Sequence, residues 1–283
     1  MQYTPSTDTI DLDAYFQRIG YSGERTATLP VLEAIHYGHA RAIAFENLTP
    51  LLGQPVLLDL GALQQKLVNS RRDGYCFEQN GLFCEVLTAL GFQVTCLAAR
   101  VLWSMPEDLI CPRIHMVLLV HVDDIPYVAD VGFGGLTLTT PLRLTPDIQQ
   151  PTSHEPFRIL EVDDTYLLQV HFGQEWQSLY QFDLQPQHPP DYEVSNWYVA
   201  THPKSLFVNS LMAARPDTDC RYALRDNHFA IHHRNGKTEK HTLTTVKEFC
   251  AVLSNEFQLT LPDHQDLENT LQRLIRSDTA DDS

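Results

Sequence analysis

Apolar positions recur at helical spacing through the first ninety or so residues and then switch to alternation. Helices are predicted over 12–19, 30–43 and 60–68, with Pro30 where a helix can start and Asp59 as an N-cap. Another begins near Cys76, since Phe83, Val86, Leu87 and Leu90 share a face and Gly91 supplies a stop. From Gln93 the pattern predicts strands over 93–103, 115–122, 127–131, 157–162, 166–172 and 176–182, with Asp163-Asp164 and Gly173-Gln174 as turns. This is an antiparallel meander expected to close into a small barrel. Beyond the proline-rich stretch 185–190, a short helix is predicted at 192–200, then strands around the Asn235-Gly236 turn and helices at 244–257 and 267–275. The predicted fold class is α+β in three units: helical over 1–90, β-barrel over 91–200 and α/β over 201–283.

The stretch from Ile114 to Asp130 is two apolar runs around an acidic turn, the pattern of a β-hairpin. A turn centred on Asp123-Asp124 sets Asp130 opposite Val117, on the face that Val117 shares with His115. His115 and Asp130 then become diagonal neighbours, near enough for imidazole and carboxylate to meet. A one-residue slip would send one of them to the other face.

Cys76 sits where the turn Arg71-Arg72-Asp73-Gly74-Tyr75 hands over to the helix. A sulfur in a first helical turn meets unpaired backbone N–H groups and the positive end of the macrodipole, with two arginines close by, which favours its anionic form. Taken singly, Cys76 reads as a small buried hydrophobe, His115 as one of 13 histidines and Asp130 as a turn residue. Jointly they make a nucleophile, its base and the group that orients the base.

These residues carry a resemblance. The blocks Phe45-Glu46-Asn47-Leu48, Arg72 through Asn80, Pro112-Arg113-Ile114-His115, Ala129 through Gly135 and Trp176-Gln177-Ser178-Leu179-Tyr180 resemble those of arylamine N-acetyltransferases, the enterobacterial N-hydroxyarylamine O-acetyltransferase type in particular. The resemblance runs from the first quarter past the middle of the chain. It implies a cysteine-protease-like Cys-His-Asp core, with Cys76, His115 and Asp130 catalytic and residues 201–283 forming a lid.

The resemblance further implies that acetyl-CoA is the acyl donor, that no metal takes part, and that arylamines, arylhydrazines or N-hydroxyarylamines accept the acetyl group. Phe45 and Phe133 are the expected substrate-binding aromatics. Gly132 and Gly134 are expected at the cofactor, where backbone N–H groups of the glycine-rich turn can meet an anion or acyl oxygen; plain hairpin chemistry is the alternative. Arg72 and Glu78 are expected to support the nucleophile turn by an ion pair or hydrogen bonds. One position departs from the family pattern: Asp73 stands where a glycine is usual. Its carboxylate would oppose ionisation of the sulfur, and it is expected to point to solvent. A papain-like peptidase or transglutaminase would share the triad, and a non-catalytic binding relative is the third reading.

With 36 acidic against 20 basic residues, the formal charge of −16 argues against general affinity for nucleic acid or anionic membranes. The start of the chain lacks a basic, apolar leader, and no run approaches the ~20 apolar residues of a membrane span. A cytoplasmic protein, monomer or homodimer, is expected. Cys76, Cys84, Cys96, Cys111, Cys220 and Cys250 show no Cys-x-x-Cys spacing, so neither zinc site nor disulfide framework is indicated. The polar end, 278–283, is expected to fray.

Overall fold

Asp11 accepts the Ala14 N–H and starts helix α1 (Leu12–Ile19), which Gly20 ends at φ 68°. The computed structural model describes residues 8–106 and 109–281, with side chains through 276; of the end expected to fray, 278–281 are helical and 282–283 lie outside the described residues, as does the start of the chain. Helix α2 (Leu29–Ala42) has a proline in its first turn, as its sequence predicts. It is followed by the two-residue strand β1 (Phe45–Glu46), the single turn α3 (Leu48–Leu51) and α4 (Leu60–Leu63), where Asp59 caps through the Ala62 N–H. The helix predicted to run on to 68 widens instead into a π-helical segment, Gln64–Asn69. That segment delivers the chain into the turn before α5 (Cys76–Ala89).

Strands β2 (Gln93–Val101), β3 (Arg113–Val122), β4 (Ile125–Ala129), β5 (Leu142–Arg143), β6 (Gln149–Gln150), β7 (Phe157–Val162), β8 (Thr165–Phe172) and β9 (Glu175–Phe182) form one antiparallel sheet, in the order β5-β4-β3-β2-β9-β8-β7-β6. It rolls into a nearly closed barrel. The edges β5 and β6 are joined by the Gln150 side chain, whose amide accepts from Arg143 N at 2.8 Å and donates to Arg143 O at 2.8 Å. The β3–β4 hairpin has the predicted register, with Val122 opposite Ile125 and Leu118 opposite Ala129, because Asp123 and Asp124 both take positive φ in a two-residue turn.

Strand β3 is buried on both faces, which explains its continuous apolar run. Met116, Leu118, Val120 and Val122 pack with the helices, whereas Val117 and Leu119 point into the barrel core with Val128. His115 and Asp130 share the parity of that inner face.

Helix α6 (Pro189–Thr201) returns to the helical core through Tyr192, Val199 and Ala200. After α7 (Leu206–Asn209), strands β10 (Met212–Pro216), β11 (Cys220–Arg225), β12 (His228–His233) and β13 (Thr238–Thr242) form a second sheet, flanked by α8 (Val246–Asn255) and α9 (Leu267–Asp281). Its order is β1-β10-β11-β12-β13, so a strand from the first quarter of the chain joins the sheet of the last third. Among the described residues no helix is long and apolar enough to cross a membrane, and no group of His, Cys, Asp or Glu could hold a metal.

Candidate active site

The turn before α5 is latched on several sides. Gly74 O accepts from Glu46 N at 3.0 Å, and Gln79 Nε2 donates to Gly74 O and to Ala44 O, both at 2.8 Å. Glu78 reaches back to the Tyr75 N–H at 3.2 Å and pairs with Lys66 Nζ at 2.6 Å. Arg72 donates to Thr49 Oγ1 at 3.1 Å and lies 3.7 Å from Glu46 Oε1. Arg72 and Glu78 thus both support the turn, through partners other than each other. Cys76 follows as the first residue of α5, where its N–H has no intrahelical acceptor.

Asp73 does not point to solvent. It is 1% exposed, and its Oδ1 accepts from Arg18 Nη2 at 2.6 Å; the Arg18 Nε also donates to Leu67 O at 3.0 Å. Burial raises Asp73 to about 8 despite the opposing charge of Arg18. Positive φ in this turn falls on Arg71, at 50°, so an aspartate at 73 meets no left-handed strain.

His115 Nε2 lies 2.7 Å from Asp130 Oδ2, which leaves Nδ1 as the ring nitrogen available to the Cys76 sulfur. The Cys76 sulfur lies 3.8 Å from Ile114 O and within interaction range of the His115 ring. Burial alone would lower His115, but the Asp130 charge and hydrogen bond, helped by Cys76, raise it to about 10. Asp130 is held below its ordinary value: burial opposes this, but His115, the Asn80 amide and the Gly132 N–H outweigh it. All three side chains are nearly inaccessible, at 4% for Cys76, 3% for His115 and 0% for Asp130.

Two supporting residues have weak or no sequence signals. Asn80, one turn after Cys76 on the same face of α5, donates to Asp130 Oδ1 and Met116 O, both at 2.8 Å, and accepts from Val131 N at 3.0 Å. Helical spacing from Cys76 could have found it. His36 Nε2 accepts from Asp130 N at 3.2 Å, and burial lowers this imidazole to about 4, so it stays neutral. No local pattern marks it.

The glycine-rich turn lies directly on the first turn of α5. A Cβ at Gly132 would stand 2.8 Å from Cys76 Cα and 3.2 Å from Cys76 O, so only glycine fits. The expectation of a Gly132 N–H open to an anion is corrected: it donates to Asp130 Oδ1 at 2.9 Å. Gly134 takes φ 95°, with its backbone against the Phe45 ring. The Phe133 ring lies 5.3 Å from the His115 ring, edge to face, and Tyr180 lies 5.0 Å from the same imidazole. Phe45 is buried beside Phe207, 6.1 Å between ring centres.

Comparison with known proteins bears on the family and the fold. A profile of the N-acetyltransferase family matches residues 28–266. The arylamine N-acetyltransferase of Mycobacterium tuberculosis is 44% identical over 258 residues, 90% of this chain and 91% of the relative. The arylamine N-acetyltransferase / N-hydroxyarylamine O-acetyltransferase of Salmonella typhimurium is 40% identical over 254 residues, 89% of this chain and 90% of the relative. The Mycobacterium marinum arylamine N-acetyltransferase solved in complex with CoA superposes with a TM-score of 0.90 at 42% identity, covering 93% of this chain and 99% of that one. With likeness of this extent in sequence and in fold, the chain belongs to the arylamine N-acetyltransferase family.

Proposed function

We infer that this protein moves an acetyl group from acetyl-CoA, through a thioester on Cys76, to arylamines, arylhydrazines or N-hydroxyarylamines. The observation that carries the reading is the convergence of Cys76, at the start of α5, with His115 and Asp130 from the β3–β4 hairpin, in a chain of this family.

A His115 raised to about 10 is an imidazolium at neutral pH, and this favours a thiolate partner. The thiolate attacks the thioester carbonyl, and the developing oxyanion meets the Cys76 N–H at the positive end of α5. CoA leaves as a thiol, taking the proton from His115. The amine or hydroxylamine then attacks the acetyl-cysteine, His115 takes up the acceptor's proton, and the Cys76 thiolate departs. Asp130 keeps the ring oriented throughout, its own place fixed by Asn80 and Gly132. Phe133 and Phe45 suit an aryl acceptor, one against the imidazole and the other under Gly134. Gly132 and Gly134 let the turn close on Cys76 and on the Phe45 ring, and the CoA thiol end is read as meeting the sulfur beside that turn.

The division into units at 1–90, 91–200 and 201–283, a cytoplasmic location and a monomeric or homodimeric state belong to the same reading. Support for the location comes from a nucleophilic thiol, which suits a reducing compartment.

Intact mass after incubation with acetyl-CoA tests the function. The chain should gain one acetyl group, Cys76→Ala should gain none, and an arylamine should discharge the acetyl. An unmodified chain that hydrolyses peptides would instead support a peptidase.

A further inference from the structure

Cys84 and Cys96 show no pairing motif in sequence, yet the fold brings their sulfurs to 3.1 Å. Cys84 lies about two turns beyond Cys76 on α5. Cys96 lies on β2, opposite Leu118, and three residues further along that strand Ala99 pairs with His115. The two thiols therefore face each other where the nucleophile helix packs on the sheet that carries the general base. Both are free and partly exposed. A further approach of about 1 Å would bring the sulfurs to bonding distance, a movement well within that of side-chain torsions.

We propose that Cys84 and Cys96 form an oxidisable dithiol that closes to a disulfide under peroxide, independently of Cys76.

The hydrogen bond between the two sulfurs, in which either thiol can donate, lowers Cys96 from its ordinary value and raises Cys84. Cys96 is accordingly the attacking thiolate. It takes one oxygen from hydrogen peroxide, breaking the O–O bond to give a sulfenic acid and hydroxide. The Cys84 sulfur then displaces the sulfenic hydroxyl; its proton and the hydroxide leave as water. Two thiols are oxidised by two electrons, one peroxide is reduced and two waters are released. The bond formed ties α5, which bears Cys76, covalently to β2, the strand paired with the one that bears His115. A small-molecule disulfide reaches the same product by two exchanges.

The test uses the full chain carrying Cys76→Ala, in which acetyl transfer is absent, so the outcome is separable from the reading of the active site. After mild peroxide, intact mass should fall by two hydrogens, and digestion should yield a Cys84–Cys96 linked peptide that dithiothreitol releases. The melting temperature should rise by several degrees and return on reduction. With Cys84→Ser added, a sulfenic acid should be trapped on Cys96 by a dione reagent; with Cys96→Ser instead, Cys84 should remain alkylatable. Digestion of the unsubstituted chain gives the linked-peptide readout should a variant fail to fold. Both thiols remaining alkylatable after peroxide, or either one linked to another cysteine, would overturn the proposal.

Discussion

Gly132 and Cys76 touch backbone to backbone: a methyl group on the glycine would stand 2.8 Å from the Cys76 Cα. The turn that follows Asp130 is thus seated directly on the first residue of α5, and this contact spaces Cys76 from the hairpin that carries His115 and Asp130. Gly132→Ala must push α5 and the hairpin apart. A misplacement on the ångström scale costs about 10²-fold in rate. We expect kcat/KM to fall by at least that, measured by CoA release with an aniline acceptor, with a lowered Tm.

Asp130→Asn keeps the shape of the orienting group and removes its charge. By the role of such a group in related triads, the rate of Cys76 acetylation should fall about 10⁴-fold, measured by rapid-quench mass analysis. Stability should change with pH as well. His115, raised to about 10 when folded, titrates near 6.5 when unfolded, so its contribution is complete below about 6.5 and is lost as pH rises through 10. Urea denaturation from pH 6 to 10 should show the parent losing stability relative to Asp130→Asn; parallel curves would refute the pairing.

Asp73 makes a different pH prediction. Its folded value of about 8 exceeds the unfolded value near 3.9, so the folded chain holds this proton more tightly. Stability from this group is complete below about 4 and is lost as pH rises toward 8. Against Asp73→Asn, which cannot titrate, the parent should lose ground over that window in urea midpoints. Arg18→Met removes the charge that holds Asp73 down, so the loss of stability in that variant should continue above pH 8.

Asn80→Ala removes the amide that ties Asp130 to Met116 O and the Val131 N–H. Outer supports of this kind are worth about 10–100-fold. That loss is expected in kcat, with little change in KM for the acceptor. A change confined to KM would place Asn80 at the substrate instead.

The β3–β4 hairpin was legible because its register depends only on local chemistry. Two aspartates tolerate positive φ, the flanking runs are apolar, and the face shared by His115 and Asp130 follows by counting. Helix α1 has the predicted bounds because Asp11 and Gly20 mark its ends. Asp73 was misread because its environment comes from Arg18, in another helix, and a charged residue beside a turn ordinarily faces water. His36 and the Cys84–Cys96 contact escaped for the same reason: packing between distant elements leaves no local period. Strand β1, two residues long, gives no alternation to detect.

That short strand has a consequence for how the protein is made. Phe45 and Glu46 hydrogen-bond on one side to the turn before Cys76 and on the other to Ala214 and Ala213. At translation rates of about 5–20 residues per second, the ribosome takes roughly 10–30 s to add the intervening segment. Until then the nucleophile turn leans on an unpaired edge. A nascent chain stalled before Met212 would leave that edge open to strangers, so errors of folding should concentrate late in synthesis, when nearly all of the catalytic machinery has already emerged.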